Sequence, residues 1–421
     1  MPNIILKNKD CLDALTRCQS VVAANPSPIV LKYCRLRCVL DRGLLEVQAT
    51  DGEVTVCHEI DIEPDSLFEE DFDVLIDPRM AVPLMPAIKS DSVNLLCEPE
   101  ISKVTISGGG NKFELLSQPA DEFPKFLFSN ESTGIRVSAG IVKKMLSSAL
   151  VAIDKNSSKV AMTAALFEYE ISEDEKKILY VVGASGQMVT FSEYECDLGN
   201  EPFQMLVPHS SIFPIAKVLE DMDDLEITIN KEKEKVRRIF YETRKATIGC
   251  APIAPDYKFP PWERIIPGGV KKPVNVETLC QVSVPAELFR ECIGYAQTMS
   301  DKEYNLIRIA FQPSPEEHVG HILLGSESES GVANVAPIEA QIVKNGEPFD
   351  EHVSSKYLIA ALDVLTGSEI LITRDLSKGS SSPMRFDSAS YGSDVFVGAV
   401  VSPVDKQKLE EVTKKAKTGK V

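Results

Sequence analysis

The sequence predicts an α+β protein made of three similar blocks, each built from two helix-plus-antiparallel-sheet units. Three observations lead there. Helical and alternating periodicities recur in one fixed order along 421 residues, a helix followed by strands each time. Proline-rich punctuation closes successive blocks, as Ala120-Asp-Glu-Phe-Pro124 and again as Phe259-Pro-Pro-Trp-Glu-Arg-Ile-Ile-Pro267. The length also suits two to three domains at a prior of about 150 residues each. The expected boundaries are 1–127, 128–269 and 270–404, with a lysine-rich tail at 405–421.

In the first block, Ile4 to Leu6 reads as a strand. Lys9 to Val22 sets Leu12, Leu15, Cys18 and Val22 at helical spacing, and Pro26 and Pro28 end that helix. Strand patterns cover Val30 to Val39, Leu44 to Ala49 and Val54 to Ile60, with a turn at Asp51-Gly52. The unit then repeats. Strand Asp73 to Ile76 precedes a helical stretch, Pro78 to Lys89, that Pro83 and Pro86 interrupt. Strands follow at Ser92 to Leu96, Lys103 to Ser107 and Lys112 to Leu116.

The second block opens at Arg136 to Val137, with a helix over Ala139 to Ala152 and strands over Ala161 to Tyr169, Ile178 to Val182 and from Met188. Ala184-Ser-Gly-Gln187 takes the place that Thr50-Asp-Gly-Glu53 holds in the first block. Met205 to Val207 leads to helix Ser210 to Leu219, then to strands Leu225 to Asn230, Val236 to Tyr241 and Lys245 to Cys250. In the third block, Val282 to Val284 precedes helix Ala286 to Met299. Strands Leu306 to Phe311 and Gly320 to Leu324, a polar loop at Gly325 to Gly331 and strand Glu339 to Val343 follow. Asp350 to Val353, helix Ser355 to Leu365 and strands Glu369 to Thr373, Pro383 to Phe386 and Val395 to Val400 complete it.

Composition narrows the functional classes. The hydrophobic fraction of 43% is ordinary for a globular chain, and no apolar run approaches the roughly 18 residues of a membrane span. The start, Met1 to Lys7, lacks a charged-then-apolar leader, and the ten cysteines form no CxxC pair. Reduced core cysteines and a cytoplasmic location are expected. A formal net charge of −18 excludes coating nucleic acid through the overall field, while leaving room for a basic lining inside an acidic shell.

No cofactor, metal site or catalytic constellation emerges. Gly183-Ala-Ser-Gly186 lacks the spacing of a nucleophile elbow and sits in a hairpin position. Gly108-Gly-Gly110 has no following lysine and precedes a strand, so it is not a phosphate loop. His318 and His321 are spaced to opposite faces of a strand, with no further ligands beside them. The acidic run Glu220 to Asp224 reads as a solvated turn. An enzyme built on the repeated scaffold is therefore the weaker reading.

The ordered set of blocks, with the two closing stretches, Ala49-Thr-Asp-Gly52 and Tyr357 to Leu365, resembles the bacterial DNA polymerase III beta subunit, the sliding clamp of the DNA-clamp family. The resemblance runs from about Ile4 to Val400. It implies a homodimer whose six domains close a ring around double-stranded DNA, held topologically and without sequence preference. It implies a non-catalytic processivity factor that tethers the replicative DNA polymerase, the clamp loader and other DNA-processing proteins through short peptide motifs. A clamp-like scaffold that binds partners without encircling DNA is the alternative. No membrane association is expected.

Carried over residue by residue, the partner-peptide cleft would comprise Met162, Ala184, Gly186, Gln187, Met188, Val189, Pro260, Arg264, Ile265, Tyr304, Val397 and Val400. Prolines would form a rigid wall, Tyr304 and the aliphatics would supply apolar area, and Arg264 would offer a forked donor. Taken singly, each could equally be a core residue at a domain junction. Trp262 is expected to pack the domain end. The DNA-facing set would be Arg17, Lys143, Lys144, Lys155, Asn156, Lys159, Lys217 and Arg290; for any single lysine the plainer reading is a solvated helix face. Two departures from the family pattern stand out. The turn reads Ala184-Ser-Gly-Gln-Met188 where the family usually has Thr-Asp-Gly-His-Arg, and the apolar end at Val397 to Val404 continues into the tail. That tail carries six lysines between Lys406 and Lys420; an unstructured segment is the plainer expectation, and a short helix touching DNA or a partner the other.

Overall fold

The computed structural model describes residues 2–22, 25–67, 71–126, 135–172, 174–219, 224–232, 235–271, 276–316, 318–388, 395–404, 408–410, 412 and 414. The acidic run at 220–224 lies largely outside them, as do most of the tail lysines.

In chain order, β1 (Asn3–Lys7) leads into α1 (Asn8–Val21), whose buried stripe is Cys11, Ala14, Leu15, Cys18 and Val21. There follow β2 (Cys34–Val39), β3 (Leu44–Thr50), β4 (Val54–Asp61) and β5 (Asp73–Ile76), then α2 (Pro78–Ala81). Next come β6 (Ser92–Glu98), β7 (Lys103–Gly108), β8 (Asn111–Pro119), β9 (Ile135–Ser138) and α3 (Ala139–Ala152). Then β10 (Ala164–Ile171), β11 (Lys177–Ala184), β12 (Met188–Glu195) and β13 (Phe203–Pro208) precede α4 (His209–Val218). The middle block ends with β14 (Asp224–Glu232), β15 (Lys235–Glu242) and β16 (Ala246–Cys250). The last part holds β17 (Leu279–Pro285), α5 (Ala286–Gln297), β18 (Leu306–Pro313), β19 (Val319–Ser328), β20 (Gly331–Asn334), β21 (Ile338–Lys344) and β22 (Phe349–Ser354). It closes with α6 (Ser355–Asp363), β23 (Glu369–Asp375), β24 (Met384–Ser388) and β25 (Phe396–Val401).

Packing divides the chain into two compact units, Met1–Lys143 with Ser210–Pro252, and Lys144–His209 with Ile253–Val421. The first unit is organised on a 12-stranded sheet of order β1-β6-β7-β8-β5-β2-β3-β4-β16-β15-β14-β9. Its strands join first-block and middle-block segments, because β16 pairs antiparallel with β4, and α1 packs on β3 and β4. The second unit carries a sheet of order β13-β10-β11-β12-β25-β24-β23-β17-β21-β19-β18-β22, with β20 added to β19. Here β12 pairs antiparallel with β25 across the expected 269/270 boundary, while α5 and α6 pack against each other.

Five segments differ from the sequence expectation, each for a local reason. The first part of the Val30 to Val39 stretch is a 3-10 turn, Ile29–Lys32, started by Pro28, whose carbonyl accepts from the Leu31 N–H. The same device, Val160–Thr163, precedes β10; apolar runs of this length do not separate a tight turn from a strand. Pro78 to Lys89 is only one α-turn, followed by a 3-10 stretch, Val82–Ala87, because Pro83 and Pro86 remove N–H donors. The polar 325–331 stretch is not a loop throughout. It continues β19 to Ser328 and turns into β20, with Ser326 and Ser328 buried and Glu327 turned outward, the period of two of a strand.

The tail is the fifth. Its described residues, Lys408–Glu410, Val412 and Lys414, are helical, and Val412 is only 7% exposed. For these residues the unstructured expectation is corrected. Among the described residues no helix is long and apolar enough to cross a membrane.

Candidate functional site

The residues expected to form the partner cleft all belong to the second unit. Their foundation is the segment that follows β16. Ile253 donates its N–H to the Leu206 carbonyl at 2.8 Å, bringing the segment onto β13. A 3-10 turn, Trp262–Ile265, then buries Trp262 and turns Arg264 and Ile265 outward; Ile265 is 40% exposed. Trp262 packs against Tyr180 and Phe191, both with ring centroids 5.7 Å away. Its indole N–H donates to Glu168 Oε2 at 3.3 Å. The tryptophan thus anchors the segment, as expected, and presents no face to solvent.

Two cations fasten the stretch beyond this turn. Lys271 Nζ lies 2.6 Å from Glu168, 2.8 Å from Glu170 and 3.1 Å from Glu263, and over the rings of Tyr180 and Trp262. Burial opposes its charge, but the hydrogen bonds to Glu168 and Glu170 outweigh that and hold it above the usual lysine range. Arg385 on β24 donates to the carbonyls of Pro267 at 3.2 Å and Gly269 at 2.8 Å, and its Nε donates to Asp387. Between these fasteners Gly268 (φ +81°) takes a left-handed turn that a side chain would strain.

The turn between β11 and β12 forms the second part. The Ser185 N–H donates to the Met188 carbonyl at 2.8 Å, and Ser185 Oγ accepts from the N–H of Met188. The serine is therefore occupied in turning the hairpin. Gly186 is exposed and Gln187 half-buried, while Ala184, Met188 and Val189 are buried. Val400 on β25 pairs with Val189, and the Gln187 carbonyl accepts from the N–H of Ser402 at 2.9 Å.

Met162, Ala184, Val189 and Val400 come together in one apolar cluster with Trp262 and Ile266. Val397 is also buried. Pro260 is half-buried beside the 3-10 turn. Tyr304 stands in the turn before β18, where Asp301 accepts from the N–H groups of Tyr304 and Leu306 at 2.6 and 2.9 Å. Of the expected set, the residues left open to solvent are chiefly Gly186, Arg264 and Ile265, with Met162, Gln187, Pro260 and Tyr304 half-buried.

The expected DNA-facing residues divide between the units. In the first, Arg17 Nη1 lies 2.9 Å from His58 Nε2, and Lys217 is exposed above the Phe213 ring. Lys143 is half-buried. In the second, Lys155, Asn156 and Lys159 are exposed on the turn after α3, shaped by Asp154 accepting from the Asn156 N–H. Lys144 Nζ donates to Thr366 Oγ1 at 3.2 Å. Arg290 donates to the carbonyls of Leu362 and Leu365, where α6 ends.

Sequence reasoning missed Lys271, Glu168 and Arg385. A signal was present in Glu168 and Glu170, two carboxylates two apart on an otherwise apolar strand, hence on one face. Nothing local tied them to a lysine about 100 positions away. Among the described residues no three His, Cys, Asp or Glu side chains are grouped to hold a metal ion.

No family model matches this chain. In sequence it is similar to a Bacillus subtilis protein named Beta sliding clamp, 21% identical over 273 residues, 64% of this chain and 65% of the relative. The match thus spans just under two thirds of that relative's length. It is also 20% identical to a Pseudomonas aeruginosa Beta sliding clamp over 79% of this chain and 82% of the relative. Among solved structures, the DNA polymerase sliding clamp of Pseudomonas aeruginosa superposes with a TM-score of 0.77 at 18% identity, covering 96% of this chain and all of that one. The DNA polymerase III beta subunit of Thermotoga maritima gives 0.79 at 17% identity, again over 96% of this chain. The chain therefore has the fold of the bacterial DNA polymerase sliding clamps, and its sequence relatives are proteins named beta sliding clamp.

Proposed function

We propose that this chain is a cytoplasmic DNA sliding clamp, a non-enzymatic processivity factor whose copies close into a ring around duplex DNA. The observation that carries the reading is the extent of the fold match, which takes in 96% of this chain and the whole of a solved clamp. In this reading 1–127, 128–269 and 270–404 are three domains, so that a homodimer closes a ring of six. The net charge of −18 suits the role. A closed ring is retained by topology, so phosphate contacts can be few and weak enough to permit sliding. Lys155, Asn156, Lys159 and Lys217 are the exposed candidates for such contacts, and Arg17, Lys143, Lys144 and Arg290 complete the proposed set.

An open strand edge supports assembly. Among the described residues β5 pairs with β8 only at Ser117–Pro119, and Leu116 on β8 is 80% exposed. A free edge with an exposed apolar residue is a surface that a second chain can cover. The replicative polymerase and the clamp loader would dock by short peptides against Arg264, Ile265, Pro260 and Tyr304. Light scattering at micromolar concentration tests the assembly: the ring requires a stable species of twice 46.3 kDa, and a strict monomer would remove it.

A further inference from the structure

The lysine-rich tail is the feature that the clamp reading leaves unused. As the chain leaves β25, the Ser402 N–H donates to the Gln187 carbonyl at 2.9 Å and the Val404 N–H to the His352 carbonyl at 2.8 Å. The root of the tail therefore runs against one residue of the proposed cleft. Beyond it, Leu409 and Val412 stand three apart on helical backbone, one face of a helix. They close a pocket together with Leu306, Arg308, Val332 and His352. Lys408, Glu410 and Lys414 are exposed, which is the amphipathic division a docked helix needs. Lys408 Nζ lies over the ring of Tyr304, 5.7 Å from its centroid, within the range of a cation–π contact.

We propose that the described tail residues around Lys408, Leu409 and Val412 form a seated strap that screens Tyr304 and competes with partner peptides for the cleft. The inference rests on the partner-cleft reading given above. Helix in so short a segment is not stable alone, because its nucleation is costly. Its helical form depends on the seat of Leu409 and Val412. Two apolar anchors and one cation–π contact make a seat that a partner can displace. A tail closed nine-tenths of the time would weaken the apparent affinity of a partner peptide about tenfold.

The test compares the full chain, a chain ending at Val404, and the full-length double variant Leu409→Asp/Val412→Asp. Each is measured for binding of a fluorescent polymerase C-terminal peptide and for amide hydrogen exchange over 319–334. The strap predicts peptide binding about tenfold tighter in both altered forms, with faster exchange in β19 and β20. Equal or weaker binding in both altered forms overturns the competition, and unchanged exchange overturns the seat. A peptide that binds none of the three refutes the cleft reading and the competition with it, while the exchange arm still decides whether the tail is seated.

Discussion

Replacing Lys271 by methionine tests how the cleft wall is held. The change keeps most of the side chain's length and removes its charge, leaving Glu168, 8% exposed, without its nearest cation. Breaking a buried ion pair by deleting one partner costs about 3–5 kcal/mol. Glu168 would keep its hydrogen bonds from Trp262 Nε1 and Gln204 Nε2, which brings the expected loss to about 2–3 kcal/mol. Glu170 and Glu263 are 41% and 34% exposed as side chains, so solvent screening leaves them less than about 1 kcal/mol together.

In a cooperative unit of this size the loss corresponds to a fall in Tm of about 5–10 °C. Scanning calorimetry of the wild type, Lys271→Met, Glu168→Gln and the double variant measures it. Lys271→Arg should recover part of the loss. The double variant should be less destabilised than the sum of the two singles, since both remove one interaction. Because the folded-state pKa of Lys271 is raised, its contribution is fully present below the unfolded lysine value of about 10.4 and disappears as pH rises through the folded value. The gap between wild type and Lys271→Met should therefore hold from neutral pH up to the unfolded lysine value of about 10.4 and close only above it. A Tm within 1 °C of wild type, or strictly additive single variants, would refute the reasoning.

Two further outcomes concern other parts of the molecule. Burial first, then Arg17 and Lys245, push the His58 imidazole from its usual 6.5 down to about 4. The unfolded chain then binds a proton that the folded chain does not, so stability is lost as pH falls from 6.5 towards 4, on the order of 3 kcal/mol in all; His58→Gln should flatten that slope in pH-dependent melts. A Cβ at Gly183 would stand 2.1 Å from the Ala149 carbonyl oxygen of α3, whereas one at Gly186 would meet nothing within 4 Å. Gly183→Ala should cost about 1–3 kcal/mol in denaturant titrations and Gly186→Ala less than about 0.5.

Five of the six expected helices could be read from residue spacing because periodicity is a local property. Ala139–Ala152 coincides with the expected helix end to end. The 3-10 turns ahead of β2 and β10 escaped because a short apolar run has the same composition in either form. The β19–β20 hairpin escaped because serine and glutamate suggest a loop, although their alternation already marks a strand. In the candidate site, Trp262 and the exposed pair Arg264 and Ile265 were within reach of sequence reasoning, since they are neighbours in the chain. Lys271 and Arg385 were not, because each draws its meaning from carbonyls and carboxylates that only the folded chain brings to it.

Topological retention on DNA is the most direct measurement. The protein would be loaded on nicked circular duplex by a bacterial clamp loader, purified at moderate salt, and the circle then cut once. A clamp stays with the circle and is released when the DNA becomes linear, because the ring slides off a free end. Retention that survives cutting would mean that direct contacts hold the complex, and absence from the intact circle would mean that the chain does not encircle DNA; either result would contradict the function proposed for this fold.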